Sequence, residues 1–295
     1  MAQQQPGGIQ IPWKYYTNLF LSMSAYDRWK QDDIFDLVES AFHQFVEPHS
    51  SRPGFVTRLI WSTLRTEGGL RHSISGVGHL AKLRKRSNVA QLFVSVESEN
   101  ERTAFIRNMP ASVEAIVITP NENSPQFHYS VSLQPHTLSE DVVPVDIQRG
   151  LVEHAKRAFA RLSGVVGYIT VDVVSGCFSW SPYERWLGAP DGPAYDFHTK
   201  ERLFYRRTRG YYWGNFLNSS HVDILGGEQA LSKSPVTLIE RLENGWYLQL
   251  TDDINDIDRG RLHELRDFLT PVLPVAYRDF KRPPDFEKTL PPFVL

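Results

Sequence analysis

The chain has 295 residues, enough to bury a sizeable core in one large domain or two medium ones. Its 41% hydrophobic and 22% charged residues are ordinary for a globular protein, and a formal net charge of −2 supplies no global field that would draw nucleic acid or an anionic membrane. A single cysteine, Cys177, excludes an intrachain disulfide, fits a reducing cytosol and reads as a small packing residue.

Residues 1–12 are rich in Gln, Gly and Pro and read as a flexible tail. They carry no basic segment followed by an apolar core, so no secretion signal is expected. No apolar run approaches the roughly 20 residues that span a bilayer, and the expectation is a soluble, cytoplasmic protein. From Asp32, the spacing of Ile34, Leu37, Val38, Ala41, Phe42 and Phe45 predicts a helix, with Asp32 and Asp33 where the helix dipole favours negative charge and Pro48 as its stop. Phe55–Leu64 reads as a strand, with a helix as the alternative.

The middle of the chain is more regular. Strands are predicted at Val89–Val96, Val113–Thr119, Phe127–Leu133 and Val165–Val174. Phe127, Tyr129, Val131 and Leu133 alternate onto one face. A helix is predicted over Glu99–Asn108 and another over Val145–Leu162, the second ended by Gly164. This is the β-α-β-β-α-β order of a split βαβ, or ferredoxin-like, unit. Part of it recurs: strand Tyr211–Phe216, helix Ser219–Ala230, strands Val236–Arg241 and Trp246–Leu250 joined through Asn244-Gly245, and helix Asp258–Leu269. The expectation is an α+β fold, mainly antiparallel sheets covered by helices. One domain over 13–280 would hold two related lobes, about 88–175 and 209–272, behind an N-terminal helical extension. Residues 281–295 would be an extended tail.

Motifs of chemistry are weak. The glycine-rich stretches lack the spacing of phosphate-binding loops. The ten histidines show no paired metal-ligand spacing, and one cysteine cannot build a thiolate zinc site. His72 and His79 would serve a hydrolase only if distant carboxylates met them. The turn Asp252–Asp258 loosely follows a calcium-loop pattern, but Ile254 sits where a polar ligand is needed, so helix capping by Asp256 or Asp258 is the expectation. No cofactor, metal or catalytic residue is therefore expected, and no enzyme. The basic run Lys82–Arg86 reads as a solvated loop. The segment 175–209 concentrates Trp180, Tyr183, Trp186, Tyr195, Phe197 and Tyr205, ahead of Tyr211, Tyr212 and Trp213. Arg185, Arg202, Arg206, Arg207 and Arg209 interleave with them. Core packing accounts for about half of these rings, and Trp, Tyr and Arg are also the residues of interface hot spots.

The stretch 209–253, with Gly210, Trp213, the helix around Val222–Leu225, Gly226–Gly227, Trp246–Leu250 and then Asn255–Asp258, resembles the C-terminal signature of the type VI immunity family. The resemblance covers about 146–274 and includes HAKRAFARLSGVVGYITVDV. It departs at the acidic turn, where Asn255-Asp256-Ile257-Asp258 replaces the Gly-Asp-x-Asn order. What it implies is an antitoxin that neutralises a cognate bacterial toxin by binding, with no chemistry of its own. Its partner-binding residues would be Trp180, Tyr183, Arg185 and Trp186, with Asp252, Asp253 and Asp256 as charge complements. A homodimer is compatible with it; membrane and nucleic-acid partners are not expected. The alternatives are a regulatory or nucleic-acid-binding module, needing a continuous basic face, and a hydrolase using His72 and His79.

Overall fold

The computed structural model describes residues 18–26, 30–51, 53–63, 71–73, 77–85, 89–98, 111–118, 126–133, 143–172 and 203–273. Its strands are β1 (Asn18–Ala25), β2 (Phe55–Thr63), β3 (Arg71–Ser73), β4 (Val89–Ser98), β5 (Ala111–Ile118), β6 (Gln126–Leu133), β7 (Val166–Asp172), β8 (Gly214–Leu217), β9 (Leu238–Leu242) and β10 (Gly245–Gln249). They form one sheet in the order β3-β2-β4-β5-β6-β1-β7-β8-β10-β9. Every neighbouring pair is antiparallel. The α+β class and the helix-covered antiparallel sheet are those the sequence implies.

The strand order departs from a ferredoxin-like unit, in which the first and second strands run parallel with another strand between them; here β4 and β5 pair directly and antiparallel. Here β1, from a stretch the sequence patterning left without an element, lies between β6 and β7. β7 then pairs with β8, so the two halves of the chain share one sheet.

Strand alternation sorts the sheet into two unlike faces. Leu21 opposes Val131 and Ile169, and the same face continues through Val113 and Val94. Helices α1 (Gln31–Ala41), α4 (Val145–Arg161) and α7 (Arg259–Leu269) share with it one apolar core containing Phe35, Val38, Leu151, Phe159, Phe216, Tyr247 and Leu265. Each fully buried Leu or Phe side chain contributes ~1.5–3 kcal/mol by leaving water.

Local chemistry explains several element ends. Pro48 does not stop the first helix outright. A π-turn at Phe42–Val46 leads into α2 (Glu47–Ser50), where proline occupies the first turn and sacrifices no needed N–H. The C-terminus of α4 takes its left-handed residue at Ser163 (φ 48°), not at Gly164. Gly164 is required for a different reason: a Cβ there would lie 2.4 Å from the Phe159 ring. The predicted helix 219–230 is two, α5 (Ser219–Leu225) and α6 (Glu228–Leu231), broken by Gly226 and Gly227 at positive φ. The β9–β10 turn is Glu243-Asn244, and Gly245 already pairs with Leu242. Asn244 donates to the Ala160 carbonyl at 2.9 Å, pinning this hairpin to the end of α4. No described helix is long and apolar enough to cross a membrane.

Candidate partner-binding surface

Of the residues singled out in the sequence, Trp180, Tyr183, Arg185 and Trp186 lie outside the described residues, as do Cys177, Tyr195, Phe197, Arg202 and the predicted helix 99–108. The aromatic residues that follow are core. Tyr211, Tyr212 and Trp213 are each 1% exposed, and the Trp213 indole N–H reaches the Thr251 carbonyl at 2.9 Å. Arg207 donates to the carbonyls of Pro271 and Leu273, and the buried Arg209 donates to the Tyr168 hydroxyl.

The three aspartates divide by role. Asp253 faces inward: its Oδ1 accepts from Gln148 Nε2 (2.7 Å), Asn255 N (2.8 Å) and Asn255 Nδ2 (2.7 Å). Gln148, on α4, also accepts from Ile254 N at 2.9 Å and donates to the Val143 carbonyl at 2.8 Å. Asn255 closes the knot by exchanging hydrogen bonds with both backbone groups of Val143. The turn after β10 is thereby fastened to the start of α4. Asp253 belongs to this scaffold; Asp252 and Asp256 project from it, exposed. Asp258 caps α7 by accepting from Arg261 N at 2.9 Å.

A second surface follows from the register. The face of the sheet away from the helices carries Ser22 opposite Ser130, Ser130 opposite Glu114, and Glu114 opposite Phe93. In the flanking rows, Ile116 lies between Gln91 and His128, and Ser112 lies between Ser95 and Ser132. At the β1–β7 end this face is closed. Phe20, Tyr168 and Tyr212 form one small cluster there, and Tyr26, Val165, Val166 and Phe204 another. Toward β4 and β5, Gln91, Phe93, Ser112, Glu114 and Ile116 are all partly exposed.

The two glutamates on this face differ in company. Glu97 holds Arg58 at 2.8 Å and accepts from Ser95 Oγ at 2.9 Å. Glu114 receives a neutral donor, Gln91 Nε2, at 2.9 Å. Among the described residues no cation stands within ion-pair distance of it. Desolvation raises the Glu114 pKa above the ordinary glutamate value, and the Gln91 hydrogen bond offsets this only in part. The period-two pattern of VEAIVI held the signal: Glu114 is the one charged residue of β5.

The buried histidines belong to the core. His154 Nε2 lies 2.6 Å from the Tyr129 hydroxyl, whose oxygen is 3.3 Å from the Leu37 carbonyl. A chain in which Nε2–H donates to Tyr129 and Tyr129 donates to Leu37 leaves Nδ1 as a bare acceptor among apolar groups, cheaper than a stranded N–H. Burial, then the nearby Arg157 charge, lowers the His154 pKa to about 4. His79 stacks loosely near Trp61, ring centroids 6.4 Å apart, with no described carboxylate in ion-pair reach; His72 sits on β3 opposite Ile60. In the basic run, Arg84 closes α3 (Leu80–Arg84) and is spent on Asp36 at 2.6 Å and Glu39 at 3.2 Å.

No family model and no curated protein matches this chain. Among solved structures, norcoclaurine synthase of Thalictrum flavum aligns over 52% of this chain and 93% of its own at 12% identity, with a TM-score of 0.16 that carries no argument. A Pseudomonas aeruginosa T6SS protein, PA0821, aligns over 88% of this chain and 78% of its own at 12% identity with a TM-score of 0.55, so the chain is similar to that protein in fold.

Proposed function

We propose that the chain is an immunity protein of the type VI secretion context: it binds a cognate bacterial toxin in the cytoplasm and neutralises it without turnover, by covering the toxin's active site. The observation that carries this reading is the fold shared with a T6SS protein over 88% of the chain. The exposed aspartates support it. Asp252 and Asp256 stand on a turn that the Gln148–Asp253–Asn255 knot already holds rigid, so little ordering entropy is lost when they engage a partner. The aromatic segment with Trp180, Tyr183, Arg185 and Trp186 supplies the anchor types that dominate interfaces. Metal, cofactor and nucleic acid have no part in it. The alternative of a basic nucleic-acid face is weakened by Arg84, whose charge is committed to α1.

The test is co-expression with the product of the adjacent gene. The expected result is a complex that survives gel filtration and restores growth of cells making the toxin. Trp180→Ala or Trp186→Ala should cost about 2–4 kcal/mol of binding, roughly 30- to 1000-fold in affinity. Asp252→Ala and Asp256→Ala should mainly slow association, more so at low salt. A folded wild-type chain that neither binds nor protects would sink the reading.

A further inference from the structure

The geometry points to Glu114 as the receptor for a basic side chain, arginine or lysine, presented by the protein partner to the face of the sheet away from α1, α4 and α7. The inference rests on the immunity reading for its partner and adds a contact that the fold likeness does not supply.

Three observations converge on it. First, the register fixes Glu114 in the partly exposed part of that face, between Phe93 and Ser130 across the strands and beside Ile116 along its own. Partly exposed apolar rings and branches around one carboxylate make a seat for a long side chain, whose methylenes cover Phe93 and Ile116 while its charged head meets Glu114. Second, Glu114 is held but not neutralised. Gln91 orients it by one hydrogen bond, and the cation that its neighbour Glu97 finds in Arg58 has no counterpart here among the described residues. A carboxylate withdrawn from water with one neutral donor costs stability in the free chain. An arriving guanidinium or ammonium would recover that cost on binding, so the charge is worth more to the complex than to the fold. Third, the surrounding groups suit a cation's remaining N–H donors: the hydroxyls of Ser112, Ser130 and Ser132 share the face and can accept.

The occupant follows from charge. Within the described part of this face one full negative charge lacks a partner, so an acidic strand or a phosphate is repelled. A second copy would bring Glu114 against the same acidic face and leave both carboxylates uncompensated. A basic side chain alone answers both the charge and the apolar rim.

The test uses Glu114→Gln, which keeps the size and the hydrogen bond to Gln91, and Asp223→Asn on α5 as an exposed acidic control. Each full-length variant is titrated against the adjacent-gene product, and each free variant is melted. The inference expects Glu114→Gln to bind roughly 30-fold or more weakly, with the loss mainly in dissociation rate. The same substitution should raise the free chain's melting temperature, while Asp223→Asn changes neither. Unchanged affinity of Glu114→Gln overturns the inference while leaving the immunity reading intact. A lowered melting temperature also overturns it, since Glu114 would then be an ordinary structural group. A wild-type chain that binds nothing removes the immunity reading and this inference with it.

Discussion

At the scale of single residues, burial decides what each polar group does. His154 and His221 are neutral because their sites exclude charge. In His221, Nδ1 accepts from Asn218 N at 3.2 Å while Asn218 Oδ1 accepts from His221 N at 3.0 Å. Protonating Nδ1 would break the first of these. Its Nε2 faces the backbone of Phe204 and Arg207 without a close, well-aligned bond, and burial carries its pKa down to about 4. Both folded values lie below the ordinary histidine value of 6.5. Unfolding therefore takes up protons, and the associated stability is whole above pH 6.5 and lost as pH falls toward 4. The loss is on the order of 3 kcal/mol per histidine. Urea midpoints measured from pH 7.5 to 4 should fall steadily, and His154→Gln should flatten that slope. Glu114 acts in the opposite sense, since its raised pKa makes protonation favour the folded state. Asp253 shows the structural kind of charge: Asp253→Ala should cost about 1–3 kcal/mol by stranding amide donors, whereas Asp252→Ala and Asp256→Ala should stay within about 0.5 kcal/mol. Equal melting temperatures for all three would remove the distinction.

At the scale of elements, close backbone approach matters as much as periodicity. Gly245 opens β10 where a Cβ would lie 2.0 Å from the Leu217 carbonyl oxygen. Because that neighbour is backbone in a paired strand, it cannot swing aside. Gly245→Ala should destabilise by about 3 kcal/mol or more by forcing β8 and β10 apart. Gly227→Ala meets no atom within 4 Å and should cost only the strain of its φ of +85°, about 1 kcal/mol. Thermal melts of the two variants separate these mechanisms, and similar small losses for both would refute the first. The elements themselves were largely legible: β2, β4–β10, α1, α4 and α7 all follow alternation or helical spacing in the chain. β1 was not assigned, although Leu21, Met23 and Ala25 alternate there with Ser22 and Ser24; Phe20 interrupts the pattern, and both faces of the strand are buried. Strand partners were not legible either, since alternation assigns a residue to a face but not a strand to a neighbour. The candidate site was readable in part. The exposed aspartates stood out by composition, but Asp253's inward role depends on Gln148, 105 residues away. Glu114's isolation depends on strand order.

At the scale of the whole molecule, the contacts that matter cross the middle of the chain. β7 pairs with β8 over four positions, Val166 to Ile169 against Leu217 to Gly214. The Asp253 knot joins α4 to the turn after β10, Asn244 holds the end of α4, and Lys156 bridges to Glu240 on β9 at 2.6 Å. Phe159 packs on Phe216 at a centroid distance of 5.3 Å, so the apolar core is continuous across the same boundary. Removing either half would bare a paired strand edge and a core face together, each costly in water. The expectation is a single cooperative unfolding transition. Tryptophan fluorescence and far-ultraviolet circular dichroism should give superimposable urea curves, and amides of β7 and β8 should share the highest exchange protection. A fragment beginning at residue 203 should lack a cooperative melt, because β8 would lose its β7 neighbour and Phe216 its Phe159 cover. If that fragment melts sharply by itself, the shared sheet is only a docking of two autonomous units, and the rigidity assigned to the aspartate turn would have to come from the C-terminal half alone.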